Sequence, residues 1–343
     1  MTRLLVSICC LILAVPAAAS DDRVLYQNIV ERMHEGESYY DVAADELRSG
    51  GYPLKPVPAF RPPTLAFALA HLPTRLSRFF VLIALCLAAA LAWMRALSDL
   101  PTWQRVSTIT LLMSGLANVG APNSIYLHET WAICFIALSL AFYRNLGLCI
   151  AFAFIAVLIR ETSILFAIAM GLVALTTRDW KRALWLIAVG LLSAGMWFAH
   201  SVAVSTVVTS ADPVSPGWVV SGGLPMVLAA AKWNILTSQL SGFPLVAVVM
   251  TFLLSLIAVR RVELKVAAVY VALFCIALLF LGRPDNDYWG IMFAPFLALG
   301  LPSVVKFLGE IWNRRSAKPG PSIPGITQAR TASDAEELNR APR

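Results

Sequence analysis

The feature that most constrains this chain is a succession of apolar runs, at about 4–19, 78–97, 106–121, 129–143, 146–159, 162–176, 183–204, 243–259, 266–282 and 290–308, joined mostly by short polar links. A helix perpendicular to a bilayer needs roughly 17–20 apolar residues to cross its hydrocarbon core, and several of these runs are shorter. The expected fold class is all-α: a polytopic membrane protein of about ten transmembrane helices. Composition agrees, because 59% apolar residues, 14% charged and a mean hydropathy of +0.73 exceed what the polar surface of a water-soluble domain can cover.

The formal charge of +7 does not point to nucleic acid, since the basic residues sit at the ends of apolar runs, where orientation in a membrane requires them. All six cysteines (Cys9, Cys10, Cys86, Cys134, Cys149 and Cys275) fall inside apolar runs, so neither an extramembrane disulfide framework nor a CxxC metal spacing is present.

Orientation turns on 146–176, which reads either as two short helices meeting at Arg160-Glu161 or as one long helix with a buried charged pair. With two helices, Arg3, Arg105, Arg144, Arg178, Lys181, Arg182, Arg260, Arg261, Lys265, Arg314, Arg315 and Lys318 all fall on one face, as the positive-inside rule asks. The expectation is ten spans with both termini cytoplasmic. The first run has a second reading as a secretory signal ending near Ala17-Ala18-Ala19-Ser20; a retained span is preferred for consistency of the bundle.

The domain reading is a membrane domain over 1–312 and a disordered cytoplasmic tail over 313–343, rich in Pro, Gly, Ser, Ala and charge. Two outer segments are substantial, 20–77 and 205–242. In the first, Leu25, Ile29 and Met33 recur every four residues against Arg23, Glu31, Arg32 and Glu35, which predicts an interfacial helix with its apolar stripe on lipid. The second places Trp218, Met226, Leu228, Trp233 and Ile235 among Gly222, Gly223, Pro225 and Pro244, as a re-entrant or interfacial piece would.

In this topology one outer face receives Asp21, Asp22, Arg61, His71, Glu129, Arg160, Glu161, His200, Arg283, Asp285 and Asp287. Charge at membrane depth is costly and marks a substrate path, an ion path or a structural pair. Asp21 and Asp22, at the outer end of the first run, suit a general base that takes a proton from an attacking hydroxyl; the alternative is a solvated stop at the lipid boundary. Arg160 and Arg283 can grip a lipid phosphate bidentately and stabilise it as a leaving group, with Arg61, His128, Glu129, Glu161, Asp285 and Asp287 supporting; the alternative is pairs that neutralise turns. Asp21, Asp22 and Glu129 are the carboxylates a divalent ion would use, whereas no spacing of His34, His71, His128 and His200 builds a histidine-ligated metal site.

The layout resembles the GT-C superfamily of integral-membrane glycosyltransferases, which includes mannosyltransferase- and arabinosyltransferase-like enzymes using polyprenyl-phosphate sugars. The resemblance rests on a short first span, Asp21-Asp22 just beyond it, an interfacial helix, and YYDVAADELRSGGYPLKPVPAFRPPTLAFALAHLP leading into the second span. HETWAICFIALSLAFYR, LIRETSILFAIAMGL and GRPDNDYWGIMFAPFLALGLP continue it, touching most of the first 302 residues. It implies inverting transfer from a polyprenyl-phosphate sugar to a glycan, lipid or protein hydroxyl, in the plasma or inner membrane with the site facing the periplasm or exterior. In that family a first-loop carboxylate activates the acceptor, here Asp21 or Asp22, and a later basic residue holds the lipid phosphate, here Arg160 or Arg283. Departures are the lack of a large soluble C-terminal domain and His128-Glu129 where an acidic pair would stand. The rival readings are a transporter or flippase for a lipid-linked or anionic solute, and a non-catalytic subunit of envelope glycan assembly.

Overall fold

The computed structural model describes residues 21–121 and 124–316. The expected first span (4–19) and most of the expected tail (317–343) lie outside the described residues. The chain divides into two compact units, Met1–Val304 and Val305–Arg343, and the site lies entirely in the first.

The helices are α1 Asp21–His34, α2 Tyr39–Ser49, α3 Thr64–Ala70, α4 Arg75–Ala96, α5 Thr102–Leu116, α6 His128–Ala141, α7 Leu146–Ile159, α8 Ile164–Thr176, α9 Trp180–Val207, α10 Gly223–Ala231, α11 Ile235–Ser238, α12 Gly242–Ala258, α13 Val262–Phe280 and α14 Leu301–Ser316, with no named β-strand among the described residues. Four segments are long and apolar enough to cross a membrane: Arg75–Ala96, Trp180–Val207, Val262–Phe280 and Ala294–Arg314. The protein is therefore all-helical and its apolar helices are those of a membrane protein. His128–Ala141, Leu146–Ile159, Glu161–Thr176 and Gly242–Ala258 are shorter apolar helices.

Local chemistry explains where the elements begin and break. α4 starts at a capping box, in which the Ser77 N–H donates to Thr74 Oγ1 at 3.0 Å and the Thr74 N–H donates to Ser77 Oγ at 3.2 Å. α9 starts where Asp179 accepts from the Arg182 N–H at 3.1 Å. At Arg160 the backbone turns extended (φ −141°, ψ 112°), so 146–176 is two helices joined by a 3₁₀ turn over Glu161–Ser163. α7 and α9 run parallel: Leu146 and Ile150 line the same cavity as Lys181 and Trp185, while Val157 and Leu158 line another with Trp197 and His200. α8 therefore carries the chain back between them.

The last expected span does not begin as an α-helix. Residues Pro284–Met292 and Ala294–Phe296 are 3₁₀ turns, and the α-helix starts only at Leu301. Close packing accompanies the irregularity. A Cβ on Gly290 would collide with the Ala230 carbonyl of α10, and one on Gly115 of α5 with the backbone of Pro295.

Segments 21–77 and 205–242 meet. Leu54 N–H and Ser215 N–H bond to Pro213 O at 3.1 Å and Lys55 O at 2.6 Å, around a single parallel bridge between Lys55 and Val214. Arg48 adds a bidentate ion pair, Nε to Asp212 Oδ1 at 2.8 Å and Nη2 to Oδ2 at 2.9 Å, and its Nη2 also donates to Val207 O at 2.7 Å. The Arg48 pair, joined by the Thr209 N–H, holds the Asp212 carboxyl well below the usual carboxylate range. Within 205–242, α10 buries Met226, Val227, Ala230 and Ala231 and packs on α13 and the Pro284–Met292 turns.

One expectation changes. The Leu25, Ile29 and Met33 stripe of α1 is buried by protein, against α2, α3 and the Ser124–Tyr126 turn, rather than resting on lipid. Segment 21–77 folds back on itself and supplies the stripe's partner from Val42, Leu47, Leu65 and Leu69, all buried in the same core.

Candidate active site

A polar cavity of about 420 Å³ opens where segment 21–77 meets the Pro284–Met292 turns. Asp22 and Tyr26 of α1, Arg61, Trp218, Arg283 and Tyr288 are among the residues that line it. Asp22 and Tyr26 stand four residues apart and so share one helix face. Burial, offset in part by Arg61, pushes the Tyr26 phenol well above its ordinary value, so it remains a neutral hydroxyl.

Beneath the cavity lies a sealed cluster. The 3₁₀ turn after α7 and the first turn of α6 place Arg160 Nε 2.7 Å from Glu129 Oε1, and Arg160 Nη1 is also ion-paired to Glu161 Oε1. The Arg160 side chain is 1% exposed and that of Glu129 3%. The Arg160–Glu129 contact is an ion pair by distance but misaligned for a hydrogen bond. The Arg160 guanidinium carbon stands 5.9 Å from the Trp289 ring centroid, and His128 packs edge-on to Tyr26 at 4.9 Å.

Arg61 joins the two layers. Its Nη1 donates to Glu161 Oε1 at 3.3 Å and its Nη2 to Tyr288 Oη at 3.5 Å. Glu161 in turn lines a second, apolar cavity of about 400 Å³ between α7 and α9, together with Val157, Leu158, Met196, Trp197 and His200. Three buried polar atoms of that lining have no partner: Glu161 Oε2, Ser193 Oγ and His200 Nε2. The other His200 nitrogen, Nδ1, faces Tyr40 Oη at 3.1 Å. The Arg61–Glu161 pair is thus the partition between a polar chamber and an apolar groove.

The structure sorts the sequence candidates. Asp22, Arg61, Arg283 and Asp285 line the polar cavity; for Asp21 only the backbone position, at the first residue of α1, is described. Arg283 is held by Asp285, Nε to Oδ1 at 3.2 Å and Nη2 to Oδ2 at 2.9 Å. Arg160, expected at a lipid phosphate, is enclosed and neutralised by two carboxylates, so a ligand in the cavity does not reach it. Asp287 faces away, into a separate cavity of about 640 Å³ with Asn118, Lys232 and Trp233. His71 is exposed, with Nδ1 on its own helix at Phe67 O, 2.7 Å.

Glu129 is spoken for by Arg160, which removes it from any cation site. No group of three or more His, Cys, Asp or Glu able to hold a metal occurs among the described residues. Asp22 and Asp285 are the described carboxylates of the chamber lining, and Asp285 is held by Arg283.

Sequence reasoning missed Tyr26, Tyr52, Trp218 and Tyr288 in the cavity wall. Tyr26 was findable from its i, i+4 spacing to Asp22, and Tyr288 from its place beside the acidic loop. Tyr52 and Trp218 carried no such signal, because only the clamp between segments 21–77 and 205–242 brings them together. Compared with protein-family models, with curated proteins and with solved structures, the chain matches none of them.

Proposed function

We propose that this chain is an integral-membrane glycosyltransferase of the GT-C kind, which moves a sugar from a polyprenyl-phosphate donor to an acceptor hydroxyl with inversion. The observation that carries the reading is Arg61, a guanidinium on the boundary between a polar chamber and an apolar groove. A lipid-linked sugar has that division of chemistry: an isoprenoid tail, one phosphate and a polar head.

In this reading the tail lies in the groove between α7 and α9, the phosphate sits at Arg61 with Arg283 as a second cation, and the sugar occupies the chamber. Asp22 accepts the proton of the acceptor hydroxyl as its oxygen bonds to the anomeric carbon. The bond from that carbon to the phosphate oxygen breaks, the electron pair leaves on the phosphate, and Arg61 stabilises the charge that develops there. The products are the glycoside and polyprenyl phosphate, with the proton on Asp22. Glu161, ion-paired to Arg61 and Arg160, orients Arg61 and is a poor base.

The same proposal takes the short apolar helices as crossings too. With the four longer segments, α5 and the 4–19 run they make ten spans, an α1–α3 layer at the interface, and a site on the periplasmic or exterior side of the cell membrane. The parallel course of α7 and α9 supports a crossing by α8 between them.

The test is transfer of radiolabelled sugar from polyprenyl-phosphate donors to membrane-extract acceptors by the purified full chain, beside Asp22→Asn and Arg61→Ala. Activity in the wild type that is lost in both folded variants supports the assignment. Full activity in either variant removes that residue's role, and no transfer by the wild type across a broad donor panel removes the enzyme.

A further inference from the structure

We propose that the end of the α7–α9 seam away from the chamber is a binding site for an anionic glycerophospholipid, separate from the donor groove and independent of the glycosyltransferase reading. A cavity of about 520 Å³ lies there, walled by Leu146, Ile150 and Phe154 of α7 and by Trp185, Val189 and Leu192 of α9. Lys181 is the one charged residue in its lining. It is exposed, and among the described residues it makes no hydrogen bond or ion pair. An apolar slot of acyl-chain character with an unengaged ammonium in its lining matches a lipid with a negative headgroup.

Two further observations bear on the charge of the occupant. The nearest acid in sequence, Asp179, is engaged by Arg182, whose Nε lies 2.9 Å from Asp179 Oδ2 and whose guanidinium stacks on Tyr143 at 3.7 Å. The turns preceding the two helices carry exposed Arg144 and Arg178, and Arg178 holds a left-handed φ of 58° where glycine would sit at lower cost. A cation thus stands at a left-handed turn two residues before α9 begins.

Cations that only orient the chain in the membrane need no such slot, and that difference sets the experiment. The full chain is purified in detergent and examined by native mass spectrometry with dioleoyl-phosphatidylglycerol and with dioleoyl-phosphatidylcholine, each with and without inorganic phosphate. Preferential retention of phosphatidylglycerol is expected, with the retained fraction falling at least fivefold in Lys181→Gln and in the slot-filling Ala151→Phe. The exposed Lys265→Gln, a cation away from the slot, is expected to retain lipid as the wild type does. Equal retention of the two lipids, unchanged retention in both slot variants, an equal loss in Lys265→Gln, or displacement by millimolar phosphate would each overturn the proposal. Circular dichroism on every variant separates loss of lipid from loss of fold: if both slot variants unfold, Lys181→Arg must restore retention for the proposal to stand.

Discussion

Arg61 and Arg160 are both ion-paired to Glu161, yet they occupy different surroundings. Arg160 is 1% exposed and also held by Glu129, while Arg61 is 14% exposed and lines the polar cavity. A buried guanidinium neutralised by two carboxylates has its electrostatic interactions made before any ligand arrives. One that borders a cavity can still exchange a partner. Position relative to open space, not residue type or membrane depth, separates an enclosed arginine from one that a ligand can reach.

That contrast can be broken by experiment, beginning with the largest effect. Asp22→Asn is expected to lower sugar transfer by about a hundred- to ten-thousand-fold, the range for loss of a positioned general base, with thermal stability unchanged. A parallel fall in stability would mark Asp22 as part of the scaffold instead. Arg160→Ala is expected to destabilise the fold by about 3–5 kcal/mol, because it leaves two carboxylates facing one another without their cation; detergent-solubilised yield and melting temperature report it. If Arg160→Ala folds normally and loses only activity, the two arginines have been assigned the wrong way round.

Arg61→Ala is expected to cost about a hundred- to a thousand-fold in kcat, the magnitude for one lost oxyanion-stabilising donor, with a smaller effect on the fold. Gly190→Leu sharpens the comparison from the groove side. A Cβ at Gly190 meets no atom within 4 Å, so the side chain enters open space in the groove lining. KM for a long-chain donor is expected to rise about three- to tenfold, while a short-chain donor analogue is unaffected. An equal rise for both would mean that the groove does not hold the tail.

The smallest effect concerns the Arg48–Asp212 clamp. Asp212 has its folded-state pKa depressed by Arg48, so its contribution to stability is complete above the ordinary carboxylate pKa of 3.8 and is lost as pH falls through the folded value. Arg48→Ala is expected to abolish this acid sensitivity, flattening the melting temperature below about pH 4 relative to wild type. A pH profile identical to the wild type would show that Asp212 draws its stabilisation from Thr209 alone.

Several elements were legible before any coordinates. The apolar runs at 78–97, 129–143, 146–159, 162–176, 183–204 and 243–259 each correspond to a helix within a few residues, since hydrophobic length and caps are local properties. The break at Arg160 was legible for the same reason, and so was the gathering of Asp22, Arg61, Arg160, Glu161 and Arg283 at one end of the bundle. The stripe of α1 was legible as a stripe but not as to what covers it, because periodicity gives the face of a helix and not its neighbour. The 3₁₀ course of 284–296 was hidden, since that backbone follows from close approach to α5 and α10 rather than from its own apolar content.

The sequence by itself determined that this chain is an all-helical membrane protein with charge collected at the ends of its helices, because the cost of burying polar backbone and charge in hydrocarbon acts residue by residue. Only the tertiary structure decided which of those charges meet. The Arg48–Asp212 clamp joins residues 164 positions apart and holds two distant segments together, and the Arg61–Glu161 pair joins residues 100 apart and divides chamber from groove; no local pattern encodes either. Whether an arginine is sealed or open depends on what packs over it. That is a property of the assembled bundle, in which separate helices each supply one wall.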